Sequence, residues 1–325
     1  MRFLPLLVGL VCAAGCGPAP PPAATGGTTT GAPPLASPAF DQTFWNTWSD
    51  GQAELAAYDL SIPRYGQLRR GVAVAIFVTE TFSNSLRVKA DPGKHAPADE
   101  FPVMKLNLVK DYQTGVYDYN EMTSTFVALR GVNGRGAGTA TKISFSRQEW
   151  CGNTYQQLLF DAGTIRATRH SYFDGDADSQ ASVSYPADGV SEDALYLWAR
   201  GMASPALEPG ASRAVSVLPS AAYAKGAGAA WQPAVLSRSA QPRRISVPGG
   251  SFSVEVLSAR IGAGDQRVFY VEAAPPHRLI QWESSSGERA VFVKSVRMKY
   301  WERNGLGQED ALKQLGLSPR PPRTT

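Results

Sequence analysis

Met104-Lys105-Leu106-Asn107-Leu108 alternates apolar and polar side chains at a period of two, which in an extended chain puts the three apolar residues on one face. Working outward, the same alternation recurs in Lys142-Ile143-Ser144-Phe145-Ser146, Phe252-Ser253-Val254-Glu255-Val256 and Val296-Arg297-Met298-Lys299-Tyr300. Strands with one dry face and one wet face belong to antiparallel sheets. Val72 to Val78 and Val268 to Val271 are apolar on both faces and are expected at the sheet's centre. Turn chemistry separates the runs at Tyr65-Gly66, Asp91-Pro92-Gly93, Asp161-Ala162-Gly163, Gly262-Ala263-Gly264-Asp265 and Ser286-Gly287. About a dozen strands are expected between Gln52 and Trp301.

Helix signals are few. Ser191-Glu192-Asp193 offers an N-cap and an acidic first turn before Ala194, Leu195, Leu197, Trp198 and Met202, and Gln308 to Leu315 is a second short helix stopped by Gly316. The expected fold is therefore mainly β: one large antiparallel sheet, half-barrel or sandwich-like, with one or two short helices. Residues 203–250 are rich in Ala, Gly, Pro and Ser with one strand candidate, Ala214 to Leu218, and read as a loop-rich insertion or lobe boundary.

The composition, 43% hydrophobic and 18% charged, permits a real core and excludes a wholly disordered chain. Lys+Arg of 32 against Asp+Glu of 28 gives +4, with no basic run, which is too even a balance for a dedicated nucleic-acid binder.

The start of the chain, from Met1-Arg2 through an apolar stretch to small residues, has the form of a secretion signal and is too short to cross a bilayer as a helix. Its end, Ala13-Ala14-Gly15-Cys16, resembles the lipobox of bacterial lipoproteins. That resemblance implies a signal peptide at 1–15, cleavage after Gly15, acylation of Cys16 and attachment to a membrane through acyl chains. By the sorting rule of such lipoproteins, Gly17 directs the protein to the outer membrane, facing the periplasm. Residues 16–39 then form a disordered Pro/Ala/Gly/Thr tether, 40–303 a β-rich envelope domain, and 304–325 a short helix and tail. Loss of Cys12 and lipidation of Cys16 leave Cys151 as the single free thiol, so no internal disulfide is expected.

Few motifs carry chemistry. Cys151 with His170 one strand later is a possible nucleophile and base, weighed against a buried structural cysteine beside Trp150. Asp174, Asp176 and Asp178 have the alternate-oxygen spacing of a calcium loop, but Ser179 and Tyr185 stand where an EF-hand needs Gly and Glu, and a solvated hairpin loop explains them as well. His95, His170 and His277 are too far apart for a zinc motif, and no phosphate-binding loop or nucleophile elbow occurs. No cofactor is implied.

Taken as a set, Tyr58-Asp59-Leu60 through Arg64-Tyr65-Gly66, Gly71 to Glu80, Pro102 to Asn107, Thr114-Gly115-Val116-Tyr117, Gln148-Glu149-Trp150-Cys151-Gly152 and Ser171-Tyr172-Phe173 resemble a family of uncharacterised bacterial envelope lipoproteins, some labelled "septum formation inhibitor". No catalytic residue is carried over. At fold level, Leu279 to Glu283, the turn at Gly287 and Val291 to Trp301 are similar to the last hairpin of curved-sheet envelope proteins such as the lipoprotein carriers. The resemblance implies a curved sheet with an apolar trough able to hold an acyl chain. The expected function is non-enzymatic binding of a lipid or other apolar envelope ligand. The alternatives are a protein-interaction or structural envelope module and a thiol-dependent envelope hydrolase.

Overall fold

The computed structural model describes residues 33–319, and the Ala13-Ala14-Gly15-Cys16 segment lies outside them. The body is one sheet of sixteen strands. In chain order these are β1 (Ala53–Arg64), β2 (Gln67–Ser83), β3 (Glu100–Thr114), β4 (Tyr117–Ala128), β5 (Ala140–Glu149), β6 (Gly152–Phe160), β7 (Thr164–Ser171) and β8 (Ser179–Ser184), followed by β9 (Gly189–Ser191), β10 (Ser212–Leu218), β11 (Gln232–Arg238), β12 (Arg243–Val247), β13 (Gly250–Ile261), β14 (Asp265–Glu272), β15 (Leu279–Ser284) and β16 (Arg289–Met298). Two helices accompany them, α1 (Gln42–Trp48) and α2 (Leu195–Ala199), with short 3₁₀ turns.

The spatial order is β8-β7-β6-β5-β4-β3-β2-β1-β16-β15-β14-β13-β11-β10-β9, with β12 paired to β13. This is an antiparallel meander whose two halves meet where β1 pairs β16, and β9–β10 is its one parallel pairing among the described residues. Register shifts at Ala57/Tyr58, Phe126/Val127 and Tyr270/Val271 bend the strands, and local bulges of this kind raise twist and curvature. Gly71 is a further bending point, because a Cβ there would lie 2.2 Å from the Asp111 carbonyl oxygen.

The curved sheet wraps its own chain. The inner face carries Tyr58 and Leu60 of β1, Phe77 of β2, Met104 and Leu106 of β3 and Phe269 of β14, all buried. They pack on a plug made by Leu195, Leu197, Trp198 and Met202. Each such large side chain contributes about 1.5–3 kcal/mol by burial. The outer face of β1 is not left wet. Ala53, Leu55 and Ala57 are covered by Leu315 from the 3₁₀ turn Gln308–Leu315, which is why β1 is buried on both faces.

Three expectations need correction, and one element was not foreseen. Residues 203–250 are not an insertion: β10, β11 and β12 are members of the sheet, and the stretch between β10 and β11 packs Ala221 and Ala227 against the inner face of β5 to β7. Small residues there give close packing rather than mobility. The tether predicted over 16–39 ends sooner, since Pro38 is buried, Leu35 packs on the core and the Ala36 carbonyl accepts from the Ala206 N–H at 2.9 Å. The helix predicted after Ser191 is a 3₁₀ turn, Glu192–Ala194, followed by the short α2. Finally, α1 was not expected, although Asp41 caps it by accepting from the Phe44 N–H at 3.0 Å and Phe44 and Trp48 are spaced for one helix face.

Candidate functional site

Space inside the curved sheet is unevenly distributed. In the middle of the trough the inner face turns from apolar to charged: Lys110 of β3 follows Leu106 and Leu108 in phase. Its Nζ donates to Glu288 Oε1 at 2.7 Å, and the same carboxylate accepts from Trp282 Nε1 at 2.8 Å and Tyr223 OH at 3.1 Å. Arg267 donates to Glu192 at 2.7 Å. Asp193 accepts from the Ser220 hydroxyl and the Ala221 N–H, and Glu192 from the Ser220 N–H at 3.0 Å. These acids pin the stretch after β10 across the trough. Burial works against the charge on Lys110, but Glu288, Tyr223 and Glu121 outweigh it and hold the ammonium above its ordinary range. Burial likewise opposes ionisation of Glu288, and Lys110 overcomes it, so its carboxylate is held below the usual range. Asp193 has no cation of its own, and burial pushes it up to about 6 against the smaller opposing effect of its hydrogen bonds. The remaining cavity is about 30 Å³, room for one or two waters. The middle of the trough is therefore charged and nearly filled, where the resemblance implied an apolar trough able to hold an acyl chain.

At one end the interior opens into a cleft of about 440 Å³. Its apolar walls are Phe44 and Trp48 of α1, Trp198 of α2, Met202 and Leu207 beyond it, and Leu257 and Val271 of the sheet. The floor is rigid. Arg200, buried, makes a bidentate pair with Glu54 at 2.8 and 3.1 Å, donates to the carbonyls of Pro276 and His277 at 3.0 and 2.9 Å, and lies 4.2 Å from the centre of the Phe77 ring. At the rim Arg238 pairs bidentately with Glu255 at 3.0 Å and donates to the Leu207 carbonyl at 2.8 Å. Both guanidiniums are thus committed within the protein. What the cleft offers a visitor is aromatic and aliphatic surface with a polar rim, the make-up of a small-molecule site.

The sequence-predicted candidates lie elsewhere. Cys151 is exposed, at the tip of the β5–β6 hairpin beside the exposed Trp150, so the buried structural cysteine is corrected. A two-residue hairpin tip has no core to enter. A hydrogen bond with Glu149 pushes its thiol pKa up, the opposite of an activated nucleophile. His170 Nδ1 lies 3.1 Å from Asp178 Oδ2. Nor do the three aspartates act together: Asp176 takes Arg169 bidentately at 2.7 and 2.6 Å and the Gly226 N–H at 2.8 Å, Asp178 takes His170 and the Ser171 N–H, and Asp174 is exposed. Among the described residues no group of acids, histidines and cysteines could hold a metal ion. Sequence reasoning missed both the cleft and the roles of Lys110, Glu192, Asp193, Arg267 and Glu288. A lysine in phase with Met104, Leu106 and Leu108 was the available signal, since a cation on an otherwise apolar face needs a buried partner.

No protein-family model and no curated protein matches the sequence. Among solved structures the chain is similar to a β-barrel-like protein of a domain of unknown function, DUF1849, from Brucella abortus, with 10% identity, 76% of this chain and 98% of that chain covered, and a TM-score of 0.44.

Proposed function

We propose that the protein is a lipid-anchored, non-enzymatic envelope protein, held at Cys16 on the outer membrane, that binds the apolar part of an amphipathic ligand in the 440 Å³ cleft. The observation that carries the reading is the contrast in space: the cleft has the volume of a ligand site and apolar walls, while the trough behind it is closed by paired charges. A fully buried CH₂ contributes about 0.8 kcal/mol, so about ten methylenes are needed to supply the roughly 8 kcal/mol of a micromolar complex, before the cost of association is met. The lipobox resemblance of Ala13-Ala14-Gly15-Cys16 supports the anchor.

Two experiments test the two halves. Metabolic labelling with palmitate should mark the wild type and not Cys16→Ser, and equal labelling of both would remove the anchor. Titration of the Cys16→Ser chain with lysophosphatidylcholine below its micellar concentration should change tryptophan emission saturably, because Trp48 and Trp198 line the cleft. Ala206→Trp, placed on the cleft wall at an exposed position, should abolish the response. An unchanged titration in that variant would refute the cleft as the site.

A further inference from the structure

The opposite end of the sheet, where the β1–β2, β3–β4 and β5–β6 hairpins turn, carries a second arrangement that the cleft does not use. Tyr65 and Gly66 both have positive φ, 54° and 68°, giving the tight hairpin turn that sets the neighbouring arginine at the lip. By register, Arg64 faces Gln67 and Arg69 faces Ile62, a buried inner-face residue, so Arg64 and Arg69 are diagonal neighbours on the concave side. Tyr112 opposite Tyr119 shares that face, one strand further on.

Arg64 is surrounded by phenols. Its Nη2 donates to Tyr119 OH at 3.0 Å, and its guanidinium carbon lies 4.8 and 4.6 Å from the ring centres of Tyr65 and Tyr119. The hydroxyls of Tyr65 and Tyr119 are 2.6 Å apart, and Tyr117 OH donates to Tyr65 OH at 3.4 Å. Yet Arg64 Nε and Arg69 Nε are both buried and have no hydrogen-bond partner among the described residues. Buried N–H donors without an acceptor destabilise a fold, the more so when charged. The other arginines whose bonds are described above are each matched to a carboxylate: Arg200 to Glu54, Arg267 to Glu192, Arg169 to Asp176 and Arg238 to Glu255.

We propose that Arg64 and Arg69, with the hydroxyls of Tyr65, Tyr117 and Tyr119, form a binding site for a phosphate group. The donor set selects the ligand. Two guanidiniums, each with a spare Nε–H, and adjacent phenols present more donors than the two oxygens of a carboxylate take up, and a phosphate supplies three or four acceptor oxygens with more than one negative charge. The phosphate can belong to a soluble ester or to a phospholipid headgroup. Leu68, Val116 and Trp150 stand around the same hairpin tips, 62%, 78% and 70% exposed, and they suit a headgroup whose acyl chains lie beside it.

The test uses the Cys16→Ser chain, so that no acyl anchor confuses the result. Inorganic phosphate at 10 mM, against chloride at equal ionic strength, should raise the melting temperature by roughly 2–5 °C. Arg69→Gln, which removes no side-chain hydrogen bond or ion pair among the described residues, should weaken phosphate binding roughly tenfold and remove most of that rise, and Arg64→Lys should do likewise. Vesicles of phosphatidylglycerol and phosphatidylcholine should then separate the sources. Sedimentation with either that is lost in Arg69→Gln and in Trp150→Ala assigns a lipid headgroup, while a phosphate-dependent shift with no vesicle binding assigns a soluble ester. No shift with phosphate together with no vesicle binding, or variants that respond as the wild type does, would overturn the site.

Discussion

The middle of the trough and its open end are built on the same sheet, yet one is filled and the other is hollow. In the middle, the cations Lys110 and Arg267 that interrupt the apolar inner face pair with Glu288 and Glu192, and these acids, with Asp193, hold Tyr223, Ser220 and Ala221 of the stretch after β10 across the opening. At the end, the charges are satisfied sideways: Arg200 by Glu54 and two backbone carbonyls, Arg238 by Glu255 and one more. The gap between α1 and the sheet then stays open. A curved sheet does not by itself make a cavity; whether it does depends on where its buried charges find their counter-ions.

The contrast is broken most severely by removing one side of a central pair. Lys110→Ala leaves Glu288 buried without its cation and should destabilise the fold by roughly 3–5 kcal/mol in urea unfolding, while leaving cleft binding of the surviving folded protein intact. A loss below 1 kcal/mol would mean that water reaches Glu288 and that the trough is not closed.

Asp193 sharpens the same point through pH. Its carboxyl titrates near 6 in the folded protein against 3.8 for the free group, so the native state holds the proton more tightly. Stability contributed by this group is therefore present below about pH 4 and is lost as the pH rises towards 6. Asp193→Asn should abolish that loss, gaining on the order of 3 kcal/mol relative to the wild type between pH 4 and pH 7.5. A constant difference between the two proteins across this range would show that Asp193 is solvated.

Smaller effects are expected where nothing is closed. Ala206→Trp at the cleft should change stability by no more than about 0.5 kcal/mol while removing ligand binding. Cys151→Ser should be neutral within about 0.5 kcal/mol, and Cys151 should react with iodoacetamide in the folded protein as fast as after denaturation, corrected for its raised pKa. Protection of the thiol in the native state would return it to the core.

The sheet is legible in the sequence because burial on one face leaves a period of two, as in Met104 to Leu108 and Ile143 to Phe145. Of the strands in 203–250 only β10 shows, as Ala214 to Leu218, while β11 and β12 do not. Arg243-Arg244-Ile245-Ser246-Val247 holds two apolar residues, and its place is fixed by pairing with β13 rather than by its own pattern. Glu192 and Asp193 read as acids favouring a helix start, and local rules cannot reveal that they face Arg267 and Ser220 across the trough. The cleft is illegible for a related reason: its walls come from α1, from the chain after α2, and from β11, β13 and β14, and no single stretch carries a signature. At the other end, Arg64-Tyr65-Gly66 was visible as a turn, whereas its meeting with Tyr119 depends on the register of four strands.

Ligand is proposed to occupy the end cleft and not the trough. The most direct measurement is quenching of tryptophan emission by a bromine-labelled fatty acid, which acts on contact. Trp48 and Trp198 line the cleft, while Trp282 lies at the closed centre. Saturable quenching is expected, lost in the double variant Trp48→Phe, Trp198→Phe and in Ala206→Trp, and unchanged in Trp282→Phe. Quenching that survives in the double variant and disappears in Trp282→Phe would contradict this placement.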